Sequence, residues 1–253
     1  MTTHFLGDTV VLFGRSMRHI TRSLDTIITV AIMPIALMLL FVYVFGGAIH
    51  TGSHQYVNYL LPGILLITIA TGISYTALRL FMDMQTGIIE RFQSLPIARS
   101  SVLWAHVLTT VVSTLISLVI VVLIALPIGF RSGAGALAWL AVAGIVVLLT
   151  LALTWIAVIA GLAAKTAEGG GAFSYPLIFL PFISSAFVPT RTMPGPVRAF
   201  ADNQPMTSII NTIRDLLARQ PVSASIWTAL AWCLGILIVA YALAMAAYRR
   251  RIA

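Results

Sequence analysis

Charge is what this sequence most lacks. Charged residues fill only 9% of its 253 positions, where an average soluble domain carries about a quarter. Hydrophobic residues make up 60% and the mean hydropathy is +1.02, so there are too few polar side chains to cover a water-facing surface. An ordinary soluble enzyme, a disordered chain and a collagen-like fibre are excluded, and the composition is that of an integral membrane protein. Cysteine is nearly absent as well. The single one, Cys233, lies in an apolar run, which rules out an internal disulfide and reads as a buried, inert thiol. The single lysine, Lys165, follows Ala164 rather than glycine. The G-x-x-x-x-G-K-[ST] phosphate loop is therefore missing, and the chain is not expected to hydrolyse ATP by itself. No internal repeat or low-complexity tail is present.

What the sequence has is long apolar runs. Six predicted spans cover residues 26–46, 56–78, 102–128, 135–164, 172–188 and 226–248, each except the fifth long enough for about 30 Å of hydrocarbon at about 1.5 Å per residue. The runs are continuous, without the alternation of a barrel strand, so helices are expected. The fifth is short, is interrupted by Pro176 and Pro181 and is followed by Pro189; its outer end is expected to turn back. The first is too long and too far along the chain for a signal-peptide core and reads as a retained anchor. No acidic or basic residue falls in the middle of any run, which disfavours an ion-coupled carrier.

The net charge of +8 becomes a map once the spans are drawn. Arg15, Arg18 and Arg22 precede the first span; Arg79, Arg91 and Arg99 follow the second; Lys165 follows the fourth; Arg249, Arg250 and Arg251 close the chain. With six spans these ten of the fifteen basic residues share one side, which predicts cytoplasmic termini. The excess then reads as topology and contact with anionic lipid, not as nucleic-acid binding.

Three segments outside the spans carry further information. Residues 1–25 place Leu6, Val10, Phe13, Met17, Ile20 and Leu24 at helical spacing with Arg15, Arg18, His19 and Arg22 opposite, an amphipathic helix suited to the headgroup layer. The predicted cytoplasmic loop 79–101 mixes Asp83, Glu90, Arg91 and Arg99 with Ile88, Ile89, Phe92 and Leu95. Pro96 should stop a helix at about Leu95, and the apolar residues need a partner or a lipid surface. The predicted outer segment 189–225 opens with the proline-rich, non-helical stretch PTRTMPGPV. A helix with Pro205 in its first turn and Asn203 or Gln204 as cap is expected after it. Its apolar side is Met206, Ile209, Ile210, Ile213, Leu216 and Leu217, and its polar side Asn211, Arg214, Asp215 and Arg219.

Reactive constellations are missing. His50 and His54 have a chelating spacing but sit in the loop HTGSH with no evident third ligand, so no metal site is expected. His106 reads as a packing or interfacial residue, Ser184 and Ser185 have no evident catalytic partner, and Gly169–Gly171 reads as a hinge rather than a phosphate cradle. No catalytic residue is assigned.

The whole layout resembles the permease subunits of ABC type-2 exporters, particularly the daunorubicin/doxorubicin-type drug-resistance branch. The resemblance rests on the basic amphipathic helix before the first span, on ERFQSLPIARSSVLWAH after the second, which is similar to the family's E-R-[FL]-x-x-[LM]-P pattern, and on FADNQPMTSIINTIRDLL, which looks like the family's outer Asn-x-Pro segment. It implies an all-α membrane fold in one transmembrane domain: six spans, an N-terminal interface helix, a cytoplasmic coupling helix and outer re-entrant helices. It implies two permease subunits, expected to be a homodimer, working with two copies of a separate ATP-binding cassette subunit that holds the ATP and Mg. By motif match Glu90, Arg91, Phe92, Leu95 and Pro96 fall in the coupling helix, and Pro189, Asn203, Gln204 and Pro205 shape the outer segment. Arg15, Arg18 and Arg22 would lie near the ATPase as well as the lipid. The implied cargo is a hydrophobic or amphiphilic drug, antibiotic or lipid-like molecule exported across a bacterial plasma membrane. Export of a lipid-linked polysaccharide and a secondary carrier are the alternatives.

Overall fold

The computed structural model describes residues 5–22, 24–47, 49, 55–87, 100–221 and 224–252. All regular structure among them is helical. Helix α1 spans Phe5–Arg22 and α2 spans Leu24–Leu40, with a π turn at Phe41–Phe45; α3 spans Tyr56–Gln85, α4 Ser101–Ile128 and α5 Ala136–Ala163. Two short helices, α6 (Ala167–Ala172) and α7 (Ser174–Phe179), lead into a 3₁₀ turn at Leu180–Ile183. After a second 3₁₀ turn at Thr190–Thr192 come α8 (Gly195–Asn203), α9 (Pro205–Leu217) and α10 (Ser225–Ile252). Among the described residues, five helical stretches are long and apolar enough to cross a membrane: Ile28–Phe45, Tyr56–Gln85, Ser101–Ile128, Ala136–Ala163 and Ser225–Arg250.

Helix α3 is the centre. It is apolar on every side, so it has no face to give to solvent. Leu60, Leu61, Ile64, Ile67, Ile69 and Ile73 are fully buried beneath α2, α4, α5, α6, α7 and α9. Small residues let its neighbours approach. A Cβ on Gly161 of α5 would lie 2.8 Å from the Ala77 carbonyl oxygen, and one on Gly63 would lie 2.5 Å from the Ala186 Cβ. The outer faces of α2, α4 and α10 keep Ile32, Met33, Val119, Leu123, Ile238 and Leu243 exposed. An apolar exterior of this kind suits hydrocarbon rather than water.

Helix ends follow capping chemistry more than hydropathy. The apolar run of α3 fades near residue 78, yet the helix continues to Gln85, because Arg79 and Asp83 are tolerated in a helix. It stops where Gly87 takes a φ of +68°, with Thr86 N–H bonding the Met82 carbonyl. Helix α4 ends in the same way at Gly129 (φ +111°), after Pro127. The stretch PTRTMPGPV is not wholly irregular. Helix α8 starts inside it, at Gly195, because proline in a first turn gives up an N–H that has no helical partner there.

The segment 172–188 is not one helix. Its two prolines divide it into α7 and the 3₁₀ turn, and Ser184 then extends (φ −129°, ψ −172°). It still runs along the whole of α3. Gly170 lies beside Ala77 and Phe81, the Ser174 hydroxyl meets Ser74, Ala186 sits on Gly63, and the Tyr56 hydroxyl donates to the Phe187 carbonyl at 2.8 Å. Residues 56 to 81 of a helix cover about 37 Å at 1.5 Å per residue. The shorter segment matches that distance by mixing in 3₁₀ and extended backbone, which rise more steeply per residue.

Two ends of the bundle can now be distinguished. At the near end Leu12 of α1, Leu80 of α3, Val102 and Leu103 of α4, Leu162 of α5 and Tyr248 of α10 share one apolar cluster. At the far end lie the starts of α3 and α10 and all of α9.

Candidate functional site

At the far end, α9 carries an arginine that reaches two other elements. Its apolar face, Met206, Ile209, Ile210, Ile213, Leu216 and Leu217, is buried in the main core. On its polar face Asn211 and Arg214 turn inward, while Arg219, past its end, is exposed. The Arg214 guanidinium donates to the Tyr59 carbonyl from Nε (3.2 Å) and Nη2 (3.0 Å), to the Ser185 carbonyl from Nη2 (2.7 Å) and to Asn211 Oδ1 from Nη1 (2.9 Å). It also lies 3.8 Å over the Tyr59 ring. The Ser185 hydroxyl closes the ring of contacts by donating to Asn211 Oδ1 at 2.7 Å. One side chain thus joins α9 to the first turn of α3 and to the end of the broken segment. Burial pushes the guanidinium below its ordinary pKa, against the opposing pull of Tyr59 and Asp215. Burial likewise pushes the Asp215 carboxyl up, and Arg214 counters it.

The proline-flanked residues of the outer segment form the hairpin from α8 to α9. Asn203 ends α8, its Nδ2 donating to the Ala199 carbonyl at 2.8 Å, and Pro205 opens α9. Gln204 stands between them with extended backbone, but its side chain does not cap α9. Instead its buried Nε2 donates to the carbonyls of Leu180 (3.2 Å) and Ile183 (2.5 Å), in the 3₁₀ turn where the regular helix has ended. Pro189 supplies the carbonyl for both the amide and the hydroxyl of Thr192, making a tight turn before α8. Phe41, Phe182 and Phe187 stack beside this region, with ring centroids 4.4 and 4.8 Å apart.

At the near end, α3 and α4 are joined by polar contacts. His106 Nε2 lies 3.1 Å from Asp83 Oδ2, and the Thr76 and Thr110 hydroxyls share a hydrogen bond. A cavity of about 230 Å³ opens here, walled by Leu12 and Ser16 of α1 together with Arg79, Asp83, His106 and Thr109. His106, expected to be a packing or interfacial residue, therefore has a carboxylate neighbour on α3. Asp83 stands on the helical extension that the end of the apolar run concealed.

Arg15, Arg18 and Arg22 lie on α1, their side chains outside the described residues. Glu90, Arg91, Phe92, Leu95 and Pro96 lie outside the described residues altogether, as do His50 and His54; the flanking helices end at Gln85 and begin at Ser101. Arg214 and Tyr59 were not singled out from the sequence. The only available signal was an arginine on the polar side of an amphipathic helix, and amphipathicity alone does not say what that side meets. Cys233 is fully buried.

Comparison with known proteins adds lineage to this geometry. The family model described as ABC-2 type transporter matches residues 8–218. The daunorubicin resistance ABC transporter permease protein of Streptomyces coeruleorubidus is 29% identical over 195 residues, covering 76% of this chain and 68% of that protein. A probable doxorubicin resistance ABC transporter permease protein of Mycobacterium tuberculosis is 26% identical over 248 residues, covering 97% of this chain and 90% of that one.

Proposed function

Because the chain belongs to the ABC-2 type transporter family, whose members are the membrane subunits of ABC transporters and work with an ATP-binding subunit, we propose that it is the permease of an ATP-driven exporter. It moves a hydrophobic or amphiphilic compound, of the drug, antibiotic or lipid-like kind, out across a bacterial plasma membrane. The observation that carries this reading is the family match along most of the chain, joined to relatives named for daunorubicin and doxorubicin resistance.

The fold supports a finer account. The chain passes from the near end at Leu162 to the far end at Phe187 along α3, so the broken segment 172–188 acts as a sixth crossing. Both termini then share the near end, which is the cytoplasmic one because ten of the fifteen basic residues belong there. The hairpin of α8 and α9 dips into the outer face as a re-entrant cap. The segment around Glu90, Arg91, Phe92, Leu95 and Pro96 is the coupling element that docks on the ATPase, close to Arg15, Arg18 and Arg22 of α1. Two copies of this chain pair with two ATPase subunits, which hold the ATP and Mg. ATP-driven closure of the ATPases displaces the coupling element, and the spans attached to it tilt. Such a change requires contacts that differ between the two states.

Co-expression with the cognate ATP-binding subunit tests the assembly. Affinity purification of the permease should recover that subunit in equal amount from detergent; recovery of the permease alone would remove the basis for the reading.

A further inference from the structure

We propose that Asp83 and His106 form a strut that makes α3 and α4 move as one body, so that displacement of the segment between them reaches the spans rather than being absorbed. The inference deepens the coupling account above and rests on it.

Segment 86–100 hangs from two helices, the end of α3 and the start of α4. If those helices could spread, a push on the segment would be lost in the spreading. The structure opposes spreading with three successive contacts. Nearest the segment, Asp83 Oδ2 and His106 Nε2 are 3.1 Å apart, with the His106 side chain only 13% exposed and that of Asp83 35% exposed. Partial shielding from water strengthens a polar contact of this kind relative to one at a free surface. Further in, the Thr76 and Thr110 hydroxyls are hydrogen bonded, and the Thr110 hydroxyl also bonds the His106 carbonyl at 3.0 Å, which ties the histidine's own turn to the next contact. Deeper still, Thr114 Oγ1 lies 2.8 Å from where a Gly72 Cβ would stand, so the two backbones are in close approach. The Asp83–His106 pair is the only one of the three beyond the apolar run of α3. There it stands beside the apolar cluster of Leu80, Val102 and Leu103 and adds a polar contact between the two helices. Leu12 and Ser16 of α1 close over it, and Arg79 lines the same cavity one turn back on α3. Asp83 and His106 are positioning residues in this account: they touch neither ATP nor cargo.

The test uses the permease co-reconstituted with its ATP-binding subunit, with doxorubicin as the transported probe. Asp83→Asn and His106→Gln should each leave complex recovery unchanged and lower the doxorubicin moved per ATP hydrolysed by about fivefold, the low end of coupling between distant sites. The exchanged pair, Asp83→His with His106→Asp, should regain at least half of the lost ratio. Amide hydrogen exchange at residues 80–85 and 101–107 of the permease alone should rise about tenfold in each single variant and fall back in the exchanged pair. Unchanged exchange and an unchanged transport ratio in both single variants would overturn the strut, as would an exchanged pair no better than the single variants. A wild-type complex that hydrolyses ATP without moving doxorubicin, its exchange following the stated pattern, would instead overturn the export reading.

Discussion

Replacing Arg214 with alanine is expected to lower the unfolding free energy by about 3 kcal/mol or more and to reduce export to background. The size follows from what the guanidinium satisfies. It makes four hydrogen bonds, to the carbonyls of Tyr59 and Ser185 and to Asn211, and covers the Tyr59 ring. Hydrogen bonds to a charged group contribute about 1.5–3 kcal/mol each, and a buried acceptor left without its donor costs about 1–3 kcal/mol. Tyr59 and Ser185 belong to two different elements, so α9 would lose its hold on both at once. Arg214→Lys keeps the charge but not the planar fork, and an ammonium cannot reach three acceptors and stack on a ring together. It should fall between wild type and alanine. Thermal unfolding in detergent, with limited proteolysis between α8 and α9, measures the effect. An alanine variant that unfolds at the wild-type temperature would show that α9 is held by its apolar face alone. Because Arg214 is at the far end, complex formation with the ATP-binding subunit should survive the change.

The second large effect is expected at the other end. Joint replacement of Glu90 and Phe92 by alanine should leave the isolated permease at its wild-type unfolding temperature and reduce recovery of the ATP-binding subunit at least tenfold. A tenfold loss corresponds to about 1.4 kcal/mol, which one buried aromatic anchor at an interface commonly supplies. Co-purification at matched expression reads this directly. Full recovery together with unchanged coupled ATP turnover would remove these residues from the coupling element. The contrast between the two experiments is informative: one variant should damage the fold and spare the complex, the other the reverse.

The parts of this molecule that depend on transfer from water to an apolar medium were legible from the sequence. The long runs that became α2, α3, α4, α5 and α10 are visible because hydropathy and helix length are set by the same solvent. So is the amphipathic character of α1, and so is the hairpin around Pro205, since proline has few places in a helix. What was hidden depends on which neighbour a residue meets. Hydropathy ended α3 near residue 78, but a helix ends where its backbone is capped, at Gly87, and that difference put Asp83 within reach of His106. A cap for α9 was expected from Asn203 or Gln204, and Gln204 takes that position without using its side chain there. It serves the carbonyls of Leu180 and Ile183 instead, a pairing 21 and 24 residues away that no local pattern encodes. Arg214 was placed only on the polar side of its helix, because amphipathicity sorts residues by polarity and does not identify the partner. Arg214, on the polar side of α9, meets backbone carbonyls of α3 and of the broken segment, where an arginine is favourable because it makes four hydrogen bonds there.

This chain is expected to export a drug-like compound only when a separate ATPase drives it. Inverted membrane vesicles holding the permease and its ATP-binding subunit, together and singly, measure that directly through accumulation of doxorubicin. Accumulation is expected only with both subunits and hydrolysable ATP, and none when a non-hydrolysable analogue replaces it or when the proton gradient is the sole energy source. Accumulation by the permease alone, abolished by a protonophore, would contradict the claim and make the chain a secondary carrier.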